Sequence, residues 1–277
     1  MLTDDLSWKL VRFMPHVRQR QRRGVTFDHY IVSDSLCCPS RSSIFTGLYP
    51  HDSGVFQNQG PQGGYHVFAA RGLEYRTYAT ALQPRGYATS MIGKYLNGYL
   101  PIGHRVPPAW NDWHVAGNAY PELNYNLLEN GALDHYGGPG RSCAPTGTPD
   151  NYLTDVLAAR AKSFIERSAG HHPFAMEVAT FAPHAPHTPA PRNACDFPGL
   201  RAPRDASFNQ GNVDPPAWLG QRPPLTSTQV GAIDTDFLKR ARSAEAVDRL
   251  LGQLEAKLAA TGQADNTYIV FRTSASR

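Results

Sequence analysis

The segment that decides the fold reads Cys37-Cys38-Pro39-Ser40-Arg41-Ser42-Ser43-Ile44-Phe45-Thr46-Gly47. Because proline has no backbone N–H to satisfy, Pro39 fits the first turn of a helix. We therefore expect a short helix over residues 40–48, with Cys37 just before its N-terminus. The free N–H groups and the positive dipole end at such a terminus attract anions, and Arg41 adds a fixed charge with a planar fork of donors. The pattern predicts an anion site at Cys37; the alternative is a tight turn around a buried free cysteine.

The composition is that of a globular domain. With 277 residues, 41% of them hydrophobic, the chain can bury the core of one large α/β domain. The net charge of +4 and the isoelectric point near 8.9 favour anionic substrates. No apolar run reaches the roughly 18 residues that a membrane span needs. No signal peptide is visible, since Asp4 and Asp5 interrupt the start, and the sequence indicates no compartment.

Cysteine usage does not indicate a disulfide framework. The four cysteines are too few and too scattered for one; they are Cys37, Cys38, Cys143 and Cys195. Cys143 and Cys195 either pair with each other or remain free thiols, and the sequence leaves both possibilities open.

The basic run over residues 18–23 is predicted to be a solvated helix end rather than a nucleic-acid site. Val11, Met14 and Val17 form an apolar stripe before it, and Gly24 is positioned to end the helix. No aromatic residues are interleaved with the arginines, so we expect no nucleic-acid partner. The next residues, 25–32, are predicted to form a strand.

The remaining pattern alternates strands and helices, which predicts a mixed α/β sheet covered by helices on both faces. The expected strands are residues 25–32, 86–92, 172–181 and 266–271, and the expected longer helices are 77–84, 150–168 and 235–260. Two segments rich in proline and glycine, 98–149 and 189–224, are predicted to be loop-rich insertions in a single catalytic domain over 1–277. The first is expected at the rim of the active site.

The Cys37 segment, C-x-P-S-R followed by a spacer and Thr-Gly, resembles the signature of the sulfatase family. The resemblance implies an alkaline-phosphatase-like fold and a catalytic Cys37 that a formylglycine-generating enzyme oxidises to formylglycine. The hydrated aldehyde would attack the sulfur of a sulfate ester. Residues 86–99 resemble the second family signature, which implies that Lys94 binds the sulfate together with Arg41. Many sulfatases carry a histidine two residues after this lysine, but here the position is Leu96, which leaves one proton-transfer role unfilled.

The resemblance extends to a metal site and a catalytic histidine. The opening residues Met1 to Asp5 resemble the end of the family's first strand, which implies that Asp4, Asp5 and the Cys37 product bind calcium. The segment after residue 181 matches the family's P-H-x-P pattern. It implies that His184 binds substrate and protonates the leaving oxygen, with His187 as the alternate.

The substrate class is indicated by a branch of the family. Both the Cys37 segment and the Lys-Tyr-Leu-Asn sequence at Lys94 resemble N-acetylglucosamine-6-sulfatases, which implies a sulfated carbohydrate or an aryl sulfate as substrate. Related enzymes use the same nucleophile on phosphonate or phosphate monoesters, so a hydrolase of that kind is the alternative. A third possibility is an inactive homologue that binds anionic glycans or fails to fold.

Both ends depart from the family pattern. Only Met1 and Leu2 precede the first aspartates, and no Asp-Asn pair follows Phe271 in the final residues. The resemblance therefore implies a domain truncated at both ends, lacking the C-terminal subdomain. For such a chain we expect weak calcium binding and little turnover, because calcium usually takes about 6–8 oxygen ligands.

Overall fold

The computed structural model describes residues 1–103, 105–137, 151–210, 216–217 and 223–274. Its centre is a seven-stranded mixed sheet with the order β5-β4-β3-β2-β6-β1-β7. The strands are β1 (Leu2–Thr3), β2 (Ala88–Lys94), β3 (Asp112–Ala116), β4 (Tyr125–Glu129), β5 (Ala132–Tyr136), β6 (Phe174–Ala179) and β7 (Arg272–Thr273). The α-helices are α1 (Pro15–Arg23), α2 (Cys37–Thr46), α3 (Pro50–Ser53), α4 (Gly64–Ala70), α5 (Tyr78–Leu82), α6 (Leu153–Ser168) and α7 (Ser227–Ala260).

The sheet is parallel where it carries the polar strand ends. β3, β2, β6, β1 and β7 are parallel neighbours, and β4 and β5 extend the β3 edge as an antiparallel pair. Parallel strands place their carboxyl ends at one edge, where ligands bind in open α/β sheets. Lys94 ends β2 at this edge, and Asp4 follows β1 directly.

Helices cover both faces of the sheet, as the alternating pattern predicts. Successive strand residues point to opposite faces. Met91 of β2 packs in a core that includes Phe45 of α2, whereas its neighbour Ile92 packs in a second core with Leu157 of α6 and Leu254 of α7. Among the helices of the described residues, none has both the length and the apolar character needed to cross a membrane.

The carboxyl end of strand β2 requires a glycine at position 93. Gly93 has φ +105°, a region that side chains rarely adopt, and a Cβ atom there would lie 2.0 Å from the carbonyl oxygen of Ala179. The missing side chain lets β2 and β6 approach closely just before Lys94. This explains why a glycine precedes the lysine that ends the strand.

Two predicted strands are wrong. Residues 25–32 form no strand, and Val25, Phe27 and Ile31 are largely exposed because no strand of the described residues pairs with them. Residues 264–266 form a 3₁₀ turn, residues 267–271 carry no strand pairing, and β7 begins only at Arg272. Both segments have the apolar composition of a strand, but a strand also needs a partner.

The expectation of a loop-rich segment over 98–149 needs a correction, because β3, β4 and β5 lie within it. These strands are short and mix polar with aromatic residues, which hid their periodicity. The described part of 189–224 contains a 3₁₀ turn, Pro191–Asn193, and no strand. Asp150, the first residue of the helix expected over 150–168, lies outside the described residues, as does Cys143, whereas Cys195 is disulfide-bonded.

Candidate active site

Four elements bring polar side chains to the carboxyl edge of the sheet. Asp4 follows β1, Lys94 ends β2, Cys37 and Arg41 lie on the first turns of α2, and His184 lies in the loop after β6. The structure thus gathers five of the sequence-predicted site residues. Their spatial order could not be read from sequence spacing, because up to 180 positions separate Asp4 from His184.

The N-terminus of α2 is built as the sequence predicts, with a small shift in register. Leu36 is the N-cap residue, Cys37 is the first helical residue and Pro39 lies in the first turn. The backbone N–H of Cys38 donates to Asn58 Oδ1 (2.7 Å). Since residues four apart share a helix face, Arg41 lies one turn below Cys37 on the same side.

Asp4 is the centre of a buried ion cluster with Arg41 and Lys94. Arg41 Nη2 donates to Asp4 Oδ1 (3.2 Å), and the Lys94 ammonium donates to Asp4 Oδ2. The three side chains are between 0% and 3% exposed. Burial alone would raise the pKa of Asp4, but Lys94 and Arg41 outweigh it and hold that pKa well below its usual range. The carboxylate is therefore ionised at neutral pH.

Two further hydrogen bonds fix this cluster. Arg41 Nη1 donates to the backbone carbonyl of Lys94 (2.7 Å), which ties α2 to the end of β2. Ser274 Oγ donates to Asp4 Oδ1 (2.7 Å) from the segment after β7. Ser274 is fully buried, and sequence analysis did not single it out.

Cys37 is a buried, protonated thiol. It is 5% exposed. Burial and the neighbouring Asp4 raise the pKa of this thiol, and the opposing effects of Lys94 and Arg41 do not offset them. Because the thiolate is the nucleophilic form of cysteine, unmodified Cys37 is a poor nucleophile at neutral pH.

His184 is oriented by its own loop. Its Nδ1 lies 2.8 Å from the carbonyl oxygen of Ala185, which can only accept, so Nδ1 carries the hydrogen. The other ring nitrogen, Nε2, lies 3.6 Å from Asp5 Oδ2. Nε2 is therefore the ring nitrogen that faces the Asp5 carboxylate.

Asp5 is held by backbone geometry. It has φ 55°, which is uncommon for a residue with a side chain, and Arg240 of α7 donates to its carbonyl oxygen (2.7 Å). Arg240 is a further site residue that the sequence analysis missed, since nothing in the helical pattern separates it from other surface arginines.

Three potential metal ligands converge among the described residues. One ligand atom each of Asp4, Cys37 and His184 lies within 4.8 Å of the other two. His187 does not belong to this group; its Nδ1 is bonded to the carbonyl oxygen of Pro183 (2.7 Å), and burial lowers its pKa. The structure therefore brings His184, rather than His187, to Cys37.

Tyr120 is an aromatic neighbour that sequence analysis also missed. Its ring centre lies 4.6 Å from that of His184 and 4.8 Å from the Lys94 ammonium nitrogen, and its hydroxyl accepts a hydrogen bond from Asn97 (3.2 Å). Leu96, at the position where many sulfatases carry a histidine, is instead buried in the core.

The sequence matches a family model over almost its whole length. The model described as Sulfatase matches residues 3–273. The human N-acetylglucosamine-6-sulfatase is 33% identical over an alignment of 280 positions, which covers 98% of this chain and 49% of the relative. The chain thus spans about half the length of the curated relatives it matches.

Solved structures show the same fold. A protein in complex with its substrate D-glucosamine-2-N,6-O-disulfate aligns with a TM-score of 0.71 at 21% identity, covering 99% of this chain and 64% of that one. A phosphonate monoester hydrolase from Silicibacter pomeroyi aligns with a TM-score of 0.61 at 18% identity, and the alignment covers 99% of this chain and 61% of the hydrolase. These similarities confirm the alkaline-phosphatase-like mixed sheet.

Proposed function

This chain belongs to the sulfatase family, and we propose that its Cys37 pocket hydrolyses sulfate esters of a sulfated carbohydrate. The observation that carries the proposal is the convergence of Asp4, Cys37 and His184 beside two buried cations, Arg41 and Lys94. A nucleophile, positive charges for the sulfate oxygens and a proton donor are the parts that the reaction requires.

The sulfatase family generally implies formylglycine, and we propose that Cys37 is its precursor here. A formylglycine-generating enzyme would oxidise Cβ with its own oxidant and release the sulfur. The raised pKa of the Cys37 thiol supports this, because the unmodified side chain is protonated and weakly nucleophilic. The hydrated aldehyde would supply the hydroxyl oxygen for attack on sulfur.

The family also generally implies a divalent cation, and we propose calcium, held by Asp4, Asp5 and the oxygens of modified Cys37. The adjacent carboxylates of Asp4 and Asp5, beside Cys37 and His184, support a cation at this place. When bound, calcium would neutralise charge on the sulfate. The three groups supply fewer than the usual 6–8 oxygens, and Asp4 already accepts from Arg41, Lys94 and Ser274. We therefore expect weak calcium binding by these residues.

The side chains of this chain divide the remaining work. Lys94 and Arg41 lie at the strand and helix ends that face an incoming sulfate, and their charges would favour the negative charge that develops on its oxygens. His184 Nε2, once protonated, is positioned to give its proton to the leaving alcohol oxygen, since Nδ1 is fixed on Ala185. The Tyr120 ring packs against both His184 and Lys94.

The relatives support a sulfated amino sugar as the substrate class. One relative is named as an N-acetylglucosamine-6-sulfatase, and one structural neighbour was solved with a disulfated glucosamine. The phosphonate monoester hydrolase among the neighbours keeps hydrolysis of phosphonate or phosphate monoesters as the second candidate.

The test is an ester-hydrolysis assay of this chain after it has been co-expressed with a formylglycine-generating enzyme. Sulfate release from glucosamine 6-sulfate and phosphate-ester or phosphonate cleavage are measured side by side, and mass spectrometry verifies the aldehyde at residue 37. We expect slow sulfate release that Cys37→Ala abolishes and that Cys38→Ala retains, because Cys38 lies outside the converging group. Undiminished release by Cys37→Ala would overturn the proposal, and cleavage of phosphonates alone would favour the second candidate.

A further inference from the structure

We propose that, while Cys37 is still an unmodified cysteine, Asp4, Cys37 and His184 form a binding site for a zinc-class cation that calcium does not fill. Cation binding by the unmodified chain does not depend on sulfate-ester hydrolysis. The identity of the converging ligand atoms, the orientation of His184 and the charges around them all favour it.

The ligand chemistry is that of zinc. Sulfur and imidazole nitrogen are ligands of zinc and cobalt, whereas calcium takes oxygen ligands almost exclusively. The atoms that converge here are Cys37 Sγ, a nitrogen of His184 and one carboxylate oxygen of Asp4. A set with one sulfur, one nitrogen and one oxygen, leaving a fourth position open, resembles three-ligand zinc centres.

His184 has the orientation of a metal ligand. Histidines that bind metals donate their other ring N–H to a carbonyl or carboxylate, which fixes the tautomer. His184 Nδ1 donates to the carbonyl of Ala185 (2.8 Å), so the Nε2 lone pair is free to bind. Nε2 lies 3.6 Å from Asp5 Oδ2, so a divalent cation bound to Nε2 would also lie near a second carboxylate.

The geometry requires only a small adjustment. The three ligand atoms lie within 4.8 Å of one another. Around a tetrahedral zinc ion, with bonds of about 2.0–2.3 Å, they would lie about 3.3–3.8 Å apart. Side-chain rotations of Cys37 and His184 that move their ligand atoms by about 1 Å would bring the ligand atoms to these distances. His184 is well placed for this, since its side chain is 28% exposed and lies in a loop.

The charges allow binding but make Lys94 a competitor. Asp4 and Asp5 balance Arg41 and Lys94, so the pocket with a protonated thiol carries no net charge. On binding, the Sγ–H bond breaks, the proton goes to solvent, and the thiolate and the cation together add one positive charge. Lys94 donates to the Asp4 carboxylate, as Arg41 and Ser274 do, so removal of the Lys94 ammonium should tighten binding of the ion.

The experiment is a cobalt titration of the full chain, produced without a formylglycine-generating enzyme, with the Cys37 thiol verified by mass spectrometry. Cobalt reports its own ligands, because a thiolate ligand gives a near-ultraviolet charge-transfer band and a tetrahedral site gives strong visible bands. Zinc and calcium are then added as competitors. Cys37→Ala and His184→Ala are the test variants, with Cys38→Ala and His187→Ala as their matched controls.

We expect one cobalt ion with both kinds of band, displaced by zinc and retained in excess calcium. Cys37→Ala should abolish the thiolate band, both test variants should weaken binding by at least about tenfold, and the two controls should bind as wild type does. Lys94→Gln should bind cobalt more tightly, a gain that misfolding cannot produce. Absence of cobalt binding to the wild type, a thiolate band that persists in Cys37→Ala, equal losses in the controls, or displacement by calcium would each overturn the proposal.

Discussion

Replacement of Asp4 by asparagine tests the buried ion cluster most directly. Asp4→Asn keeps the shape of the side chain and removes the counter-charge of Lys94 and Arg41, which are 3% and 0% exposed in their side chains. Removing one partner of a buried ion pair costs about 3–5 kcal/mol. Native stability is only about 5–15 kcal/mol, so the variant should be severely destabilised.

The loss of stability in Asp4→Asn has an upper bound that depends on pH. Lys94 can lose its proton, and the ordinary pKa of a lysine is about 10.4. Giving up that proton at pH 7 costs about 1.4 kcal/mol per pH unit, or about 4.6 kcal/mol. If folded Asp4→Asn contains neutral Lys94, its unfolded state binds one more proton, so its stability rises with pH. The difference from wild type should therefore shrink by about 1.4 kcal/mol for each unit between pH 7 and 10.

Urea denaturation of wild type and Asp4→Asn at pH 7, 8 and 9 measures the loss of stability and its dependence on pH. Asp52→Asn is the matched control, because Asp52 is exposed beside His51 and its loss should cost less than about 1 kcal/mol. The reasoning is refuted if Asp4→Asn loses less than about 1 kcal/mol at pH 7 and the loss does not change with pH.

Three further outcomes follow from single positions. Burial raises the pKa of Glu122 to about 7, above the ordinary value near 4.5. The free energy of unfolding should therefore fall as the pH rises from about 4.5 to 7. Urea denaturation of Glu122→Gln should not show this fall. Burial alone would lower the pKa of His114, but hydrogen bonds and charge interactions with Asp112 and Glu129 outweigh it and raise that pKa. Protonated His114 therefore stabilises the folded state fully below its ordinary pKa near 6.5, and this stabilisation is lost as the pH rises. Urea denaturation of His114→Gln should lack this dependence on pH. Gly93→Ala should fail to give soluble, cooperatively unfolding protein, because its Cβ would overlap a backbone carbonyl of β6.

Local features of the fold could be predicted from the sequence. The helix that presents Cys37 follows from Pro39 and from Gly47, which ends α2 in the left-handed conformation. The apolar stripe of α7 predicts a helix, although the structure begins it at Ser227, where Thr226 and Gln229 form a capping box. Each of these depends on residues within a few turns of one another.

The segments 25–32 and 266–271 show the limit of such reasoning. Both have strand-like composition, yet neither pairs in the described residues, since a strand is stable only with a neighbour. The opposite error concerns β3 to β5, whose mixed composition gave no strand pattern although β2 pairs with β3. Pairing is a property of the whole sheet and not of a segment.

The sequence by itself determined the kind of chemistry: the Cys37 motif, the family and the residue types of the site are all local in the chain. Only the tertiary structure decided how those residues interact. Asp4 and Lys94 are 90 positions apart, and parallel strand ends bring them into an ion pair that also engages Arg41. Tyr120 and Ser274 join the site for the same reason. Charges and hydrogen bonds act over a few ångströms of space, and distance along the chain does not measure that separation.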